Sequence, residues 1–138
     1  MKEKKQSKDW YVAVTHYLTA GFAIPWIAAL VLGIPLTILI GTNHIMFLTI
    51  VMSIIWLLSI WLGVMYGAKY VNKTYVIKNR DHVAKLAVTY LAIIGGVYRF
   101  FILFFKGMAT PLIVELVFFA TGVALFYFLS KKYIQNDV

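Results

Sequence analysis

The chain has 138 residues, 62% of them hydrophobic and only 13% charged, with a mean hydropathy of +0.85. A soluble domain carries about 25% charged residues, so this composition excludes a water-soluble core inside a polar shell. The absence of cysteine excludes disulfides, thiolate catalysis and thiolate metal sites. The net charge of +8 lies in segments flanking apolar runs, which points to anionic membrane lipid rather than nucleic acid.

Between Asp9 and Lys69 there is no Lys, Arg, Asp or Glu. That run exceeds the roughly 20 residues one membrane-spanning helix needs, so it must turn. "GTNH" at Gly41 to His44 is the polar cluster able to do so. The expectation is a first helix over 15–40 and a second over 45–68. The first run is too long for a cleavable signal, lacks a small-residue cleavage site and is followed by more apolar runs. It contains Pro25, Gly33 and Pro35. These fit either a kinked helix lining a cavity or the ordinary frequency of Gly and Pro in membrane helices. In the second helix, Ser59, Gly63 and Gly67 recur every four residues. They predict a flat helix-packing face, against either this chain or a second copy, and so a possible homo-oligomer.

The stretch "KYVNKTYVIKNRDHVAK" (Lys69 to Lys85) follows, with 69–82 expected as a loop. A third helix is expected over 83–105. "KGMATP" reads as a short turn, with Pro111 in the first turn of a fourth helix over 111–130. The whole chain, 1–138, reads as one four-helix transmembrane domain. Basic residues precede the first helix, occupy the central loop and follow the last helix. Only Lys106 lies in the other two connections. The positive-inside rule then predicts both termini and the central loop in the cytoplasm, for a multi-pass protein of the plasma membrane.

Arg99 and Glu115 are the guanidinium and carboxylate groups set well inside the spans. A charge in hydrocarbon is costly and needs a partner or water. Both lie at comparable distance from the turn joining the last two helices. They are expected either as a structural ion pair or as an anion-binding Arg that Glu115 tunes. Gly96, Gly95, Ala92 and Thr89 share a helical face with Arg99, which predicts that this face turns inward. His16, His44 and His82 lie near span ends and are scattered, so no metal site is expected. No nucleophile–base pair or phosphate-cradling loop can be assembled either. The chain is read as a non-enzyme without cofactor.

The sequence also echoes itself. "AVTHYLTAG" (Ala13 to Gly21) opens the first helix and "AVTYLAIIGG" (Ala87 to Gly96) the third. "NKTYVI" (Asn72 to Ile77) follows the second helix and "SKKYIQ" (Ser130 to Gln135) the fourth. Two hairpins of like topology predict a parallel repeat about an axis along the membrane normal. The doubled endings resemble the GtrA family of small four-helix membrane proteins, whose hairpins tend to close on an Asn-basic-x-aromatic-Val-Phe motif. Asn72, Lys73, Tyr75 and Val76 fit it. Ser130, Lys131, Tyr133 and Ile134 fit more loosely, and Ile77 and Gln135 stand where Phe is usual.

The resemblance implies a role in cell-envelope polysaccharide or teichoic-acid glycosylation. The chain would act as a flippase, or flippase accessory, for a polyprenyl-phosphate-linked sugar, beside a separate membrane glycosyltransferase. In that reading Lys73, Lys131 and Lys132 hold the lipid phosphate as point charges, and Tyr75 and Tyr133 stack on the sugar. Arg99, with Glu115 beside it, and Lys106 receive the phosphate on the outer side. The same residues also serve simply to orient and anchor a membrane protein. Two other functions fit the sequence. One is a non-transporting assembly subunit of a membrane complex. The other is a small dimeric proton-coupled transporter with Glu115 as its coupling carboxylate.

Overall fold

A computed structural model describes residues 3–106 and 112–137. The described chain is helical apart from its tails and short connections. The first span is one continuous rod of three parts: α1 (Asp9–His16), a π-helical turn (Tyr17–Ala23) and α2 (Ile24–Ile40). After a 3-10 turn at Thr42–His44 come α3 (Ile45–Thr74), α4 (Arg80–Lys106) and α5 (Leu112–Tyr133). Four helical stretches are long and apolar enough to cross a membrane: Asp9–Ile40, Ile45–Thr74, Arg80–Phe101 and Ile113–Tyr133. Their outward faces are apolar, with Leu39, Ile38, Phe104 and Ile113 among the most exposed side chains. A lipid environment makes such exposure costless. The expected turn at Gly41 to His44 is present, and Gly41 has φ +77, a backbone conformation that disfavours any residue with a Cβ.

The helices run further than the apolar segments alone predict. The first begins at Asp9 rather than 15, and α3 continues to Thr74 rather than stopping at 68. With α4 starting at Arg80, the expected 69–82 loop shrinks to 75–79. Burial explains this. Ile60, Val64, Ala68 and Val71 form one buried stripe, while Lys69, Tyr70 and Lys73 point outward. The stripe keeps helical period through the charged region, so charge marks where the helix leaves lipid, not where it ends. On α4 the stripe is Val83, Ala84, Ala87 and Leu91. The small-residue face expected around Arg99 is only partly inward: Gly95 approaches Phe119, but Thr89 is exposed and a Cβ on Gly96 would meet open space. The expected 106–111 turn, Pro111 and the Lys106 side chain lie outside the described residues.

The π turn was not foreseen. Across it the Ile24 N–H donates to the Thr19 carbonyl five residues back. Pro25, next in line, has no N–H, and its ring strikes the carbonyl four residues before it in a regular helix. The wider turn sits at this point. The Thr19 hydroxyl donates to the Thr15 and His16 carbonyls, at 2.9 and 3.1 Å, satisfying acceptors that the wider turn leaves short of donors.

α3 packs against the first span and against α5, and α4 packs against α1 and α5. Spans one and three are thus neighbours, as are two and four. A two-fold axis through the bundle along the membrane normal would put each of those pairs on a diagonal, and the described contacts lack that arrangement. Two backbones approach closely where the π turn crosses α3. A Cβ on Gly63 would collide with the Ala20 carbonyl, and one on Gly67 would lie 2.8 Å from the Ala20 Cβ and 2.9 Å from the Thr19 hydroxyl. Ser59, on the same face, is also buried and donates to the Trp56 carbonyl. The partner of this small-residue face is therefore the chain's own first span. Gly63→Ala should push the two spans apart and cost about 1–3 kcal/mol, whereas Gly96→Ala should be nearly neutral. Thermal unfolding of the two variants in detergent checks the contrast, and equal stability would refute the crossing.

Candidate functional site

Two places in the bundle gather the residues singled out in the sequence. The first is the end where both tails and the 75–79 connection meet, here the charged end. Asn72 sits on the last turn of α3. Its amide donates to the Tyr133 carbonyl at 2.9 Å and accepts from the Gln135 N–H at 3.0 Å. It thereby closes the C-terminus of α5, whose last carbonyls have no partner within the helix. "NKTYVI" and "SKKYIQ" are thus in contact, joined by Asn72. Tyr75, Ile77 and Ile134 are buried in the core, so Tyr75 is chiefly a packing residue with its ring edge-on to Tyr11, 5.9 Å away.

The lysines stay at the surface. Lys73 is exposed, Lys131 lies 4.0 Å from Asp81 and over the Tyr127 ring, and Lys132 lies over the Tyr133 ring. Both tails are pinned here as well. Lys5 exchanges backbone hydrogen bonds with Thr74 and Val76, and Asp137 bonds the backbone of Ile77 through both its N–H and its carboxylate. Lys4 pairs with Asp137 at 2.5 Å, and Asp9 with His82 at 2.8 Å.

The second place is a cavity of about 720 Å³ between the four spans. Arg99 and Glu115 lie on its wall, Nη1 to Oε2 2.6 Å, their side chains 28% and 21% exposed. The pairing expected from their matched depth is present. The guanidinium carbon lies 5.1 Å from the centre of the Trp56 ring and 5.3 Å from that of Phe119, and these rings are nearly parallel at 6.3 Å. Such contacts add about 0.5–2 kcal/mol each when desolvated. Glycines seat both rings: a Cβ on Gly122 would collide with Trp56, and one on Gly95 would lie 3.1 Å from Phe119. Most other wall residues are apolar, and Pro25 is among them. The first helix lines this cavity through Pro25, whereas Gly33 and Pro35 are not on its wall.

The two places do not merge. Arg99 is 19 residues beyond the start of α4, roughly 28 Å along a helix. Asn72, Lys73, Tyr75, Lys131, Lys132 and Tyr133 therefore cannot touch a ligand group held by Arg99 in this conformation. Between them lies the densest part of the core, which contains a polar link the sequence did not disclose. His16 is fully buried, its Nε2 2.8 Å from the Ser130 hydroxyl and its ring 5.4 Å from Phe126. His16 was read as a span-end residue because the helix was expected to begin at 15. Trp56 and Phe119 were missed because stacking on an arginine has no signature within one helix. Among the described residues, no group of three or more His, Asp or Glu is placed to hold a metal ion.

Comparison of the chain with protein-family models, with curated proteins and with solved structures returns no match.

Two outcomes are expected. Arg99→Ala leaves a carboxylate in an apolar wall and should destabilise the protein by roughly 2 kcal/mol, while Arg99→Ala with Glu115→Ala should cost less. Unfolding midpoints of the single and double variants test this, and an additive loss would refute coupling. At the charged end, the Lys4 ammonium and then the Ile77 N–H hold the Asp137 carboxyl below its ordinary pKa. A depressed pKa stabilises the folded state above the ordinary carboxylate range, and that contribution disappears as pH falls through the lowered value. Hydrogen-exchange protection at Lys5 and Val76 should therefore drop in acid. In Asp137→Asn it should be lower at neutral pH and lack that acid step.

Proposed function

We propose that this protein is a flippase, or the membrane accessory of one, for polyprenyl-phosphate-linked sugars used in cell-envelope polysaccharide or teichoic-acid glycosylation. The observation that carries the proposal is the apolar cavity with a guanidinium on its wall, flanked by two aromatic rings. A lipid-linked sugar has three parts with different needs: an apolar chain, an anionic phosphate and a polar sugar. The cavity wall suits the first. Arg99 suits the second, because a guanidinium presents a planar fork of donors to phosphate oxygens. Trp56 and Phe119 offer faces to the third.

Glu115 has a defined part in this scheme. It neutralises Arg99 while the cavity is empty, so that no lone charge stands in lipid. An arriving phosphate competes with it for the guanidinium. The pair is then structural at rest and functional on binding, which joins the two alternatives its sequence leaves open. The basic segments place the charged end and both termini on the cytoplasmic side by the positive-inside rule, and the cavity toward the outer side. The resemblance of the paired hairpin endings to the GtrA family supplies the substrate class. It also supplies the partner, a membrane glycosyltransferase that makes or uses the lipid-linked sugar. The sequence's possible homo-oligomer finds no support in the Ser59, Gly63 and Gly67 face, which packs within one chain.

The test is reconstitution of the purified protein with a fluorescent polyprenyl-phosphate sugar. Translocation should exceed that of empty vesicles and fall at least tenfold in Arg99→Ala. Rates equal to empty vesicles would overturn direct transport. An unchanged surface polymer in a strain lacking the gene would overturn the accessory role.

A further inference from the structure

We infer that the charged end carries a binding site for a phosphate ester, the head of an anionic phospholipid, built from Lys5, Ser7, Lys8 and the rings of Trp10 and Tyr75. These residues, with Tyr11, line a pocket of about 360 Å³. It is separate from the Arg99 cavity and shares only Tyr75 with the hairpin endings.

Three observations carry the inference. First, the pocket is held by the fold. The Lys5 N–H donates to the Thr74 carbonyl at 2.8 Å and the Lys5 carbonyl accepts from Val76 at 2.9 Å, so the tail cannot drift from Tyr75. Second, the charge there is uncompensated. The neighbouring Lys4 is paired with Asp137 and Asp9 is hydrogen-bonded to His82, and among the described residues no carboxylate lies within salt-bridge distance of Lys5 or Lys8. Two lysines and a serine line one pocket, a set that suits a multivalent anion. Third, the walls locate the anion at the membrane boundary. Trp10 and Tyr11 open the first span about half exposed, and amphipathic rings at a span end lie at headgroup level. Leu18 and Phe22 are exposed further along the same span and offer apolar surface to the attached chains.

A free phosphate has the same head chemistry but no use for that surface. The site is independent of the transport proposal: lipid binding here can succeed or fail whatever the reconstituted vesicles show.

The experiment is native mass spectrometry of the full chain released from detergent with phosphatidylglycerol, phosphatidylcholine or inorganic phosphate. Lys5→Gln with Lys8→Gln is compared with Lys78→Gln with Lys85→Gln, two exposed lysines outside the pocket. Both double variants remove the same charge. Phosphatidylglycerol should bind the parent chain in preference to phosphatidylcholine. Its affinity should fall on the order of 10- to 30-fold in the Lys5/Lys8 variant, as about 1 kcal/mol per lysine implies, and change less than threefold in the Lys78/Lys85 variant. Circular dichroism establishes that both variants fold. Equal losses in the two variants would show a diffuse charge effect and overturn the site, as would equal binding of phosphatidylcholine. Inorganic phosphate binding as tightly as the lipid would overturn the lipid assignment.

Discussion

The structure depends on one close crossing, where the backbone of the first span at Ala20 meets Gly63 and Gly67 of α3. In lipid, helices gain nothing by hiding apolar surface from water, so association comes from close packing and from polar contacts between helices. Small residues allow the first, and at this level Ala20, Gly63 and Gly67 bring two spans together. Near and below that level, toward the charged end, Val64, Ala68 and Val71 meet Val12, Ala13, Val83 and Ala87 in a dense core. Beyond it the cavity opens between the spans. There the glycines have another use, since Gly95 and Gly122 make room for the Phe119 and Trp56 rings.

The second constraint is that polar groups within a bilayer need partners inside the protein. Among the described residues this is met in several ways, the buried Nδ1 of His16 excepted. Threonines and serines on the helices return their hydroxyls to carbonyls three or four residues back, as at Thr37, Thr49 and Ser53. His16 reaches across the bundle to Ser130. Arg99 takes Glu115 and two ring faces. At the charged end, the C-terminus of α5 is closed by Asn72 of α3, and the connection and both tails are tied through Asp137 and Lys5. The two hairpin endings are therefore in contact without being interchangeable: Asn72 serves the end of α5, while Ser130 at the matching place serves His16.

How much of this was legible in the sequence follows from the range of each signal. Four spans, the Gly41 turn and the Ser59, Gly63 and Gly67 face are encoded in hydropathy and in residues one helical turn apart, and these could be read. The Arg99–Glu115 pair was legible because a short turn fixes the relative depth of its two helices. The helix ends were misplaced because charge was taken as their limit, while the buried stripe through Val71 carried α3 on to Thr74. The Trp56 and Phe119 contacts with Arg99, and the His16–Ser130 link, join distant segments. No local pattern reports which faces meet, so they could not be read. The π turn depends on Pro25 in the setting of a tight crossing, and Pro25, Gly33 and Pro35 read alone fit both a kink and ordinary membrane prolines.

The closed half also bears on how a lipid-linked head could move. Placing a phosphate in a dry core costs far more than the contacts along the way return. The core between the charged end and the cavity holds Phe126 and Ile60 fully buried, with no room for such a group. A head that crosses through the interior therefore needs a second arrangement in which the core parts while the cavity shuts. The first span has the means to take part, because its π turn lies at the boundary between the halves and lines the cavity through Tyr17, Gly21 and Phe22. Converting a π turn to α shifts the helix beyond it by one residue relative to the helix before it. Such a shift would move Ala20 off Gly63 and Pro25 along the cavity wall together. The close crossing and the wide turn are thus two parts of one feature, and opening the core would have to act on both.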